Sequence, residues 1–396
     1  MIHNFDEMID RKDTGAVKWD GNRTFCGVDD VIPMWVADMD FKSPQPVIQA
    51  LRERVEHGVY GYTSAGRTLK SVIRDWFARR HGWDVDERAI FTLPTVIYSL
   101  TLAINAFSDI GDQVVIQTPV YHPFARIIKD NHRKIIRNSL VYNQGRYEMD
   151  FADLEEQLRH PKTKMLLLCS PHNPVGRVWT RDELTRVREL CAKYDVLILS
   201  DEIHWDIVYP GHKHLPIASI SDGFTPSVIT FVAPTKTFNI AGLHISNMII
   251  TDSEKQQIIQ REIVRAGLSD NNLFGLLALE ASYQYGEPWL NELLVYLQAN
   301  VKLLTEFVGQ YLPRVKLVQP EATYLAWLDV RDLGMDDAEL QKRLAVEAKV
   351  AVHIGSTFGD EGKGFLRLNF ACPRSVLEDA LHRMRPILEQ FVDTNV

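Results

Sequence analysis

The residues that could carry out chemistry shortly follow three apolar runs of the chain. Lys236 comes after VITFV, Asp201 after VLILS and Asn173 after MLLLC. Such runs predict buried strands, and open α/β sheets bind ligands in the crevice outside the carboxyl ends of their strands. A partly desolvated lysine there can become a neutral nucleophile or form a Schiff base. A lone lysine is usually a solvated loop residue, but the matching chemistry after the other two runs favours a reactive amine.

Two further features are expected at the same edge of the sheet. Thr95 is predicted to cap a helix that begins at Val96, and the free N–H groups at such a start bind phosphate. Tyr121 follows the run VVIQ and presents an aromatic ring. An amine, a carboxylate, an aromatic face and an anion site together suit pyridoxal phosphate. In that arrangement Lys236 forms a Schiff base, Asp201 keeps the pyridinium nitrogen protonated and Tyr121 stacks on the ring.

The elements that must position these residues alternate along the chain. Continuous apolar runs separated by amphipathic helices predict an α/β fold with a mostly parallel, seven-stranded sheet covered by helices. Beyond Tyr311, shorter strands and helices predict a smaller α+β domain. We therefore expect an N-terminal arm over residues 1–42 that packs with the small domain, a large domain over 43–290 and a small domain over 291–396. Ser43 is predicted to cap the first helix of the large domain.

The composition is typical of a soluble globular protein. The 396 residues are 45% hydrophobic and 24% charged, and the formal net charge of -8 argues against a nucleic-acid partner. The four cysteines lack metal-ligand spacing, and disulfides are not expected with so few cysteines in a chain of this size. No signal sequence or apolar run long enough to span a membrane is apparent, so a cytoplasmic location is expected.

Several motifs resemble a known family. The segments PHNPVGRVWT, LSDEIH and APTKTFNIAGL resemble the fold-type I pyridoxal phosphate enzymes of the class I/II aminotransferase family. Within that family, MWVADMDF, HGVYGY, VIQTPVYHPF, LLLCSPHNPVG, TYLAWLDVR and EGKGFLRLNFACPRS are similar to the MalY/PatB-type cystathionine β-lyase subgroup. The resemblance extends from about Val31 to Arg374, which is nearly the whole chain. It implies the two-domain fold of that family and pyridoxal phosphate as the cofactor.

The resemblance also implies roles for individual residues. Lys236 matches the Schiff-base lysine and the catalytic base, and Arg367 matches the arginine that binds the substrate carboxylate. A structural ion pair is the alternative explanation for Arg367. The cofactor-binding residues implied are Lys236, Asp201, Asn173, Tyr121, His204, the backbone of Val96 and Ile97, Thr235 and, from a neighbouring subunit, Tyr62. The substrate-binding residues implied are Arg367, Asn173 and Ala37.

One position departs from the family pattern. Typical aminotransferases carry a phosphate-binding arginine eight residues after the lysine, and this chain has His244 there. The sequence offers no obvious substitute for that charge. The affinity for the cofactor phosphate is therefore expected to be lower, unless a positive charge comes from elsewhere.

The activity implied is C–S β-elimination on an L-cysteine conjugate such as cystathionine, which yields a thiol, pyruvate and ammonia. The nearest alternative is an aminotransferase, which would use the same residues. A regulatory protein that acts on a transcription factor through its surface is a third possibility, although no such surface is marked in the sequence. A homodimer is expected, because Tyr62 would need the phosphate of a second subunit.

Overall fold

The computed structural model describes residues 3–221, 223–224 and 227–390. The helices are α1 Val17–Asp20, α2 Asn22–Cys26, α3 Gln45–His57, α4 Leu69–His81, α5 Val96–Phe107, α6 Pro123–Asp130, α7 Phe151–Arg159, α8 Arg181–Tyr194, α9 Pro234–Thr237, α10 Ser253–Arg265, α11 Leu273–Tyr285, α12 Glu287–Tyr311, α13 Asp337–Val346 and α14 Arg374–Leu388. The strands are β1 Ile32–Pro33, β2 Ile90–Leu93, β3 Gln113–Ile116, β4 Lys134–Arg137, β5 Val141–Asn143, β6 Arg146–Glu148, β7 Thr163–Cys169, β8 Leu197–Asp201, β9 Val228–Val232, β10 Ser246–Ile250, β11 Lys316–Val318, β12 Leu325–Asp329, β13 Val350–Ala351, β14 His353–Ile354 and β15 Phe365–Asn369.

The large sheet is mostly parallel, as predicted. Within the described residues it has seven strands in the order β2-β10-β9-β8-β7-β3-β4. The pairs from β9 to β4 are parallel, and β10 runs antiparallel to both of its neighbours. The fold class predicted from the alternating apolar runs is therefore confirmed, with β10 as the mixed element.

Helices cover both faces of this sheet because successive residues of a strand point to opposite sides. Leu167 of β7 packs in one core with Leu100 of α5, whereas Leu166 packs in another core with Leu154 of α7 and Val187 of α8. Each fully buried leucine contributes about 1.5–3 kcal/mol to folding. Strand β8 is buried along its whole length and β7 is buried except at Lys164, and the two strands pair in parallel register.

That register aligns the strand ends that carry the candidate site. Cys169 of β7 lies beside Asp201 of β8, which in turn lies beside Phe231 of β9. The strand predicted to stop at Ser200 extends one residue further and includes Asp201. The loop that carries Lys236 forms the short helix α9, so the lysine is held on a turn of helix rather than on a flexible loop.

A smaller antiparallel sheet follows, with the order β11-β12-β15-β14. Helix α12 runs without a break through residue 290, where the domain boundary is predicted. The three-part division of the chain stays a prediction. No helix in the described part of the chain is long and apolar enough to cross a membrane.

The N-terminal segment runs along β13 and then turns toward the loop that follows α9. Strand β1 pairs in parallel with β13, with Ile32 beside Val350. Residues 35–41 follow, and we call them the strap. Its buried Asp40 accepts hydrogen bonds of 2.6 Å from Lys18 and 2.7 Å from Arg11, so the arm is fastened to itself by charged groups.

The predicted cap of the first long helix is wrong. Helix α3 begins at Gln45, its N-cap is Pro44, and no side chain caps it. The hydroxyl of Ser43 donates instead to the carbonyl oxygen of Asn239, at 3.1 Å. The serine is therefore used for a tertiary contact, because the chain passes the loop after α9 before it becomes helical.

Candidate active site

A cavity of about 370 Å³ opens at the carboxyl ends of β7, β8 and β9. Both Lys236 and Asp201 line it, so the amine and the carboxylate face the same space. Tyr62 is the one predicted site residue that does not line it. The other predicted residues on its wall are Ala37, Val96, Ile97, Tyr121, Asn173, His204, Thr235 and Arg367.

The amine of Lys236 is held by the strap. Its Nζ atom donates a hydrogen bond of 2.7 Å to the carbonyl oxygen of Ala37. Burial lowers the pKa of Lys236, and the positive charge of Arg367 lowers it further, while Asp38 and Asp201 act in the opposite direction. The net direction is downward, so this amine loses its proton more easily than an ordinary lysine.

Asp201 lines the cavity and is 4% exposed. Burial raises the pKa of its carboxyl group to about 7, and the neighbouring Glu202 adds to the rise. Its Oδ1 atom accepts a hydrogen bond of 3.1 Å from the backbone N–H of Ile203. A buried carboxyl group at this pKa would ionise fully only beside a cation, and a protonated pyridine nitrogen would supply that cation.

Arg367 carries a buried positive charge without an anionic partner among the described residues. Its Nη1 atom donates to Asn173 Oδ1 at 3.2 Å and its Nη2 atom to the Trp35 carbonyl oxygen at 2.7 Å. Its Nε atom has no partner among the residues described. Burial lowers the pKa of Arg367 to about 10. The structural ion pair considered from the sequence is absent from the described part of the chain, and a ligand carboxylate would complete the site.

The predicted phosphate-binding residues lie at the start of α5. The hydroxyl of Thr95 accepts the Tyr98 N–H at 3.1 Å, so it caps the helix as predicted. In a helix of this length the N–H groups of Val96 and Ile97 have no acceptor within the helix. His244 also lines the cavity, whereas Tyr62 is fully exposed on the surface. No contact within the described chain gives Tyr62 a role in this cavity.

The remaining predicted residues form the walls. The ring of Tyr121 meets Phe124 edge to face at 5.8 Å, and burial raises the pKa of its hydroxyl. His204 is 3% exposed, and burial with the charges of Lys236 and Arg367 lowers its pKa to about 3. Its Nδ1 atom has no partner in the described residues. The histidine is therefore a neutral, polar group that a ligand could contact.

Sequence reasoning missed several residues at this site. The hydroxyl of Tyr324 donates to the Ala37 carbonyl at 2.9 Å, the same oxygen that binds Lys236. His122 and His353 line the cavity 5.8 Å apart, and burial lowers their pKa values to about 4 and about 2. His122 follows Tyr121 directly and could have been found from that position, whereas Tyr324 and His353 have no local signal.

Comparison with known proteins identifies the class. The sequence model described as "Aminotransferase class I and II" matches residues 29–384, and the chain belongs to that family. It is 44% identical over 385 residues to cystathionine β-lyase PatB of Bacillus subtilis, covering 97% of this chain and 100% of that protein. It is 37% identical over 379 residues to protein MalY of Escherichia coli, covering 95% of this chain and 96% of that protein.

A solved structure agrees with the sequence relatives. Cystalysin from Treponema denticola, which contains a pyridoxal 5'-phosphate cofactor, has a TM-score of 0.95 and 36% identity to this chain, covering 98% of this chain and 99% of that one. The family and the subgroup indicated by the motifs are therefore confirmed. The chain has the fold of a type I pyridoxal phosphate enzyme, and that cofactor is confirmed.

The residues present fit the cofactor. Three polar groups that lack a complementary partner among the described residues border one cavity. They are the buried acid Asp201, which has no paired cation, the guanidinium of Arg367, which has no anion, and the Nδ1 atom of His204, which has no hydrogen-bond partner. A pyridinium ring and an amino-acid carboxylate would satisfy the first two. A lysine whose pKa is lowered lies on the same wall.

Proposed function

We propose that this protein is a pyridoxal phosphate-dependent C–S β-lyase. It would cleave cystathionine or a related L-cysteine S-conjugate to a thiol, pyruvate and ammonia. The observation that carries the proposal is that Lys236 and Arg367 line the same cavity. The pKa of Lys236 is lowered, and Arg367 has no anionic partner among the described residues. The similarity to PatB, named as a cystathionine β-lyase, supports the choice of reaction.

The cofactor would be held by residues on three sides of the cavity. Asp201 would meet the ring nitrogen, Tyr121 the ring face and Asn173 the phenolic oxygen. The phosphate would lie at the N–H groups of Val96 and Ile97. His204, Thr235 and Tyr62 of a second subunit would complete the set, and Lys236 would form the covalent link. When bound, pyridoxal phosphate supplies an electron sink for negative charge at the substrate Cα.

The chain's own residues would position the substrate and move its proton. Arg367 would bind the α-carboxylate, and Asn173, which accepts one of its N–H groups at 3.2 Å, would keep the guanidinium oriented. Ala37 would border the substrate on the strap side. Lys236, as a neutral amine, would take the proton from Cα and could return it to the departing sulfur. A buried amine suits this task, because burial favours its neutral form.

An assay without a keto acid tests this reaction. The purified protein with bound cofactor is incubated with L-cystathionine, and pyruvate and free thiol are measured. A lyase releases both in equal amounts. If neither appears, but amino groups are transferred once a keto acid is added, the protein is an aminotransferase. A protein that does neither and still binds a protein partner would favour the regulatory role.

We also propose a homodimer. Tyr62 is a large aromatic residue, fully exposed in this chain, in a segment that also exposes Val59 and Tyr60. Apolar residues clustered on a surface in this way are typical of an interface. In a dimer, Tyr62 of one subunit would reach the phosphate bound by the other, so each site would need both chains.

A further inference from the structure

The strap is hydrogen-bonded to both Lys236 and Arg367, the two residues proposed to act on the substrate. One of its carbonyl oxygens, that of Trp35, accepts a hydrogen bond from Arg367, and another, that of Ala37, accepts one from Lys236. The side chain of Asn369 binds the backbone on either side of Ala37, and that of Asn239 binds it at Met39 and Phe41. The distance between the amine and the carboxylate site is therefore set through this short piece of chain.

Asn239 fastens the strap to the turn that carries the lysine. It lies three residues after Lys236, and its backbone has a φ of 56°, in the left-handed region that few residues adopt. Its Oδ1 atom accepts the N–H of Met39 at 3.0 Å, and its Nδ2 atom donates to the carbonyl oxygens of Met39 at 2.9 Å and Phe41 at 2.8 Å. One side chain thus makes three bonds to the strap backbone.

Asn369 fastens the strap from the other side. It lies two residues after Arg367 on β15, and its Nδ2 atom donates to the carbonyl oxygens of Val36 and Asp38, both at 2.6 Å. Its Oδ1 atom accepts the N–H of Ala371 at 2.8 Å, which fixes the amide orientation. Ala37 is therefore clamped between two bonds to the strand that carries the arginine.

We propose that Asn239 is a positioning residue for Lys236. Asn369 fixes the strap relative to Arg367, and Asn239 fixes the lysine turn relative to the strap. Together they set where the amine lies with respect to a substrate Cα held by its carboxylate. The inference rests on the roles proposed above for Lys236 and Arg367, and it applies to a lyase and to an aminotransferase alike.

The strap has other attachments that would survive the loss of Asn239. The pairing of β1 with β13 and the bonds of Asp40 to Lys18 and Arg11 do not involve it. Loss of the amide should therefore leave the arm in place and the carboxylate site intact. The turn that carries Lys236 would then be held less firmly against the strap. A small misplacement of a catalytic group lowers the reaction rate more than it weakens substrate binding.

The test uses two variants of the full-length protein with bound cofactor. Asn239→Gly removes the amide, and glycine tolerates the left-handed backbone. Asn239→Asp keeps the shape and the bond from Met39 N–H, but it sets a carboxylate against the carbonyl oxygens of Met39 and Phe41. Asp195→Gly is the matched control, because Asp195 has a φ of 54° at the exposed end of α8.

The readout is the exchange of the Cα hydrogen of L-alanine in heavy water, followed by NMR, together with the amount of bound cofactor. We expect both Asn239 variants to lower the maximal exchange rate about 10- to 100-fold, with KM for L-alanine changed by less than about threefold. Cofactor content should stay at the parental level, and Asp195→Gly should match the parent in all three quantities.

Three results would overturn the inference. The first is an exchange rate within about twofold of the parent in both Asn239 variants. The second is a loss of rate accompanied by an equal rise in KM or a loss of cofactor, which would indicate general damage. The third is a parent that exchanges no Cα hydrogen. L-Alanine has no leaving group, so a parent that exchanges it but releases no pyruvate from cystathionine refutes only the proposed lyase.

Discussion

The Nζ atom of Lys236 lies 2.7 Å from the carbonyl oxygen of Ala37, a residue 199 positions earlier in the chain. A carbonyl oxygen accepts a stronger hydrogen bond from the ammonium form than from the neutral amine, so this contact by itself does not remove the proton. Burial favours loss of the proton, because it lowers the pKa of Lys236. The lysine is therefore held at a fixed place while its environment favours the form that can act as a base.

Replacement of Lys236 by alanine should abolish turnover and leave the fold largely intact. Among the described residues its side chain makes one hydrogen bond, to Ala37, so few polar contacts are lost. We expect thiol release to fall by at least about 10²-fold, because a general base of this kind contributes that much or more. Borohydride should attach the cofactor to Lys236 in the parent and to no residue of the variant, which peptide mass spectrometry would detect. Parental turnover by Lys236→Ala would refute the assignment of the base.

Asp38→Asn should shift the pH dependence of the reaction. The negative charge of Asp38 raises the pKa of Lys236 against the effect of burial. Without it the ammonium form is less stable, and Arg11, which Asp38 binds at 2.7 Å, shares Asp40 with Lys18 as its remaining anionic partner. The acidic limb of the rate profile should therefore move to lower pH.

The measurement is the rate of Cα hydrogen exchange from L-alanine as a function of pH. In the parent, the rate should level off below the ordinary lysine pKa of about 10.4. The control is Asp379→Asn on the exposed face of α14, where the carboxylate binds Arg383. A shift toward higher pH in Asp38→Asn would contradict the prediction, and so would an equal shift in the control.

The strand-end residues could be predicted because their signal is local. Asp201 and Lys236 each follow an apolar run, and parallel register then brings the strand ends together. The helix cap at Thr95 was equally local. These features need only the residue types within a few positions of each other.

The hydrogen bonds of the strap could not be predicted, because they are long-range and involve backbone oxygens. Nothing near Ala37 in the sequence indicates that its carbonyl binds both Lys236 and Tyr324. The three bonds of Asn239 to the strap depend on how residues far earlier in the chain return to the loop after α9. Ser43 was mistaken for a cap for the same reason, since its hydroxyl binds that loop.

The buried acid should make the cofactor-free protein less stable as pH rises. The pKa of Asp201 is about 7 in the folded chain, against about 3.9 for an unperturbed aspartate. Between these values the folded state binds more protons than the unfolded state, so the free energy of unfolding falls with increasing pH and levels off above the higher value. Asp201→Asn removes this dependence, because an amide of the same shape carries no charge.

Urea unfolding of both cofactor-free proteins at several pH values tests this. The variant should gain stability relative to the parent from about pH 4 to about pH 7, by about 4 kcal/mol at most. Asp182→Asn, on the exposed surface of α8, is the control and should show no such gain. A constant difference between Asp201→Asn and the parent across this range would show that the acid is already ionised without the cofactor.

Mixing two defective subunits should restore activity if Tyr62 acts across a dimer. Lys236→Ala lacks the base but keeps Tyr62, whereas Tyr62→Ala lacks the phosphate contact but keeps the base. Each mixed dimer would hold one complete site, so an equal mixture should recover about one quarter of the parental sites. Mixing Tyr62→Ala with a chain that carries both substitutions is the control and should recover nothing. An active monomer in sedimentation would refute the shared site.

His244→Arg should strengthen binding of the cofactor. His244 lines the cavity at the position where typical family members carry a phosphate-binding arginine. A guanidinium is always charged and forms paired hydrogen bonds with phosphate oxygens, so the dissociation constant of pyridoxal phosphate should fall about tenfold. Raising the salt concentration should reduce the gain, because ions screen the attraction between the two charges.

Equilibrium dialysis of the cofactor at low and high salt measures this change. His132→Arg is a matched control, because His132 is also an exposed histidine with a left-handed backbone, at a φ of 61°, and it does not line the cavity. It should leave the dissociation constant unchanged, since a charge outside the cavity adds no hydrogen bond to the phosphate. If His244→Arg binds no more tightly than the parent, the phosphate does not approach position 244. Its charge would then be balanced by the N–H groups at the start of α5, without help from this side of the cavity.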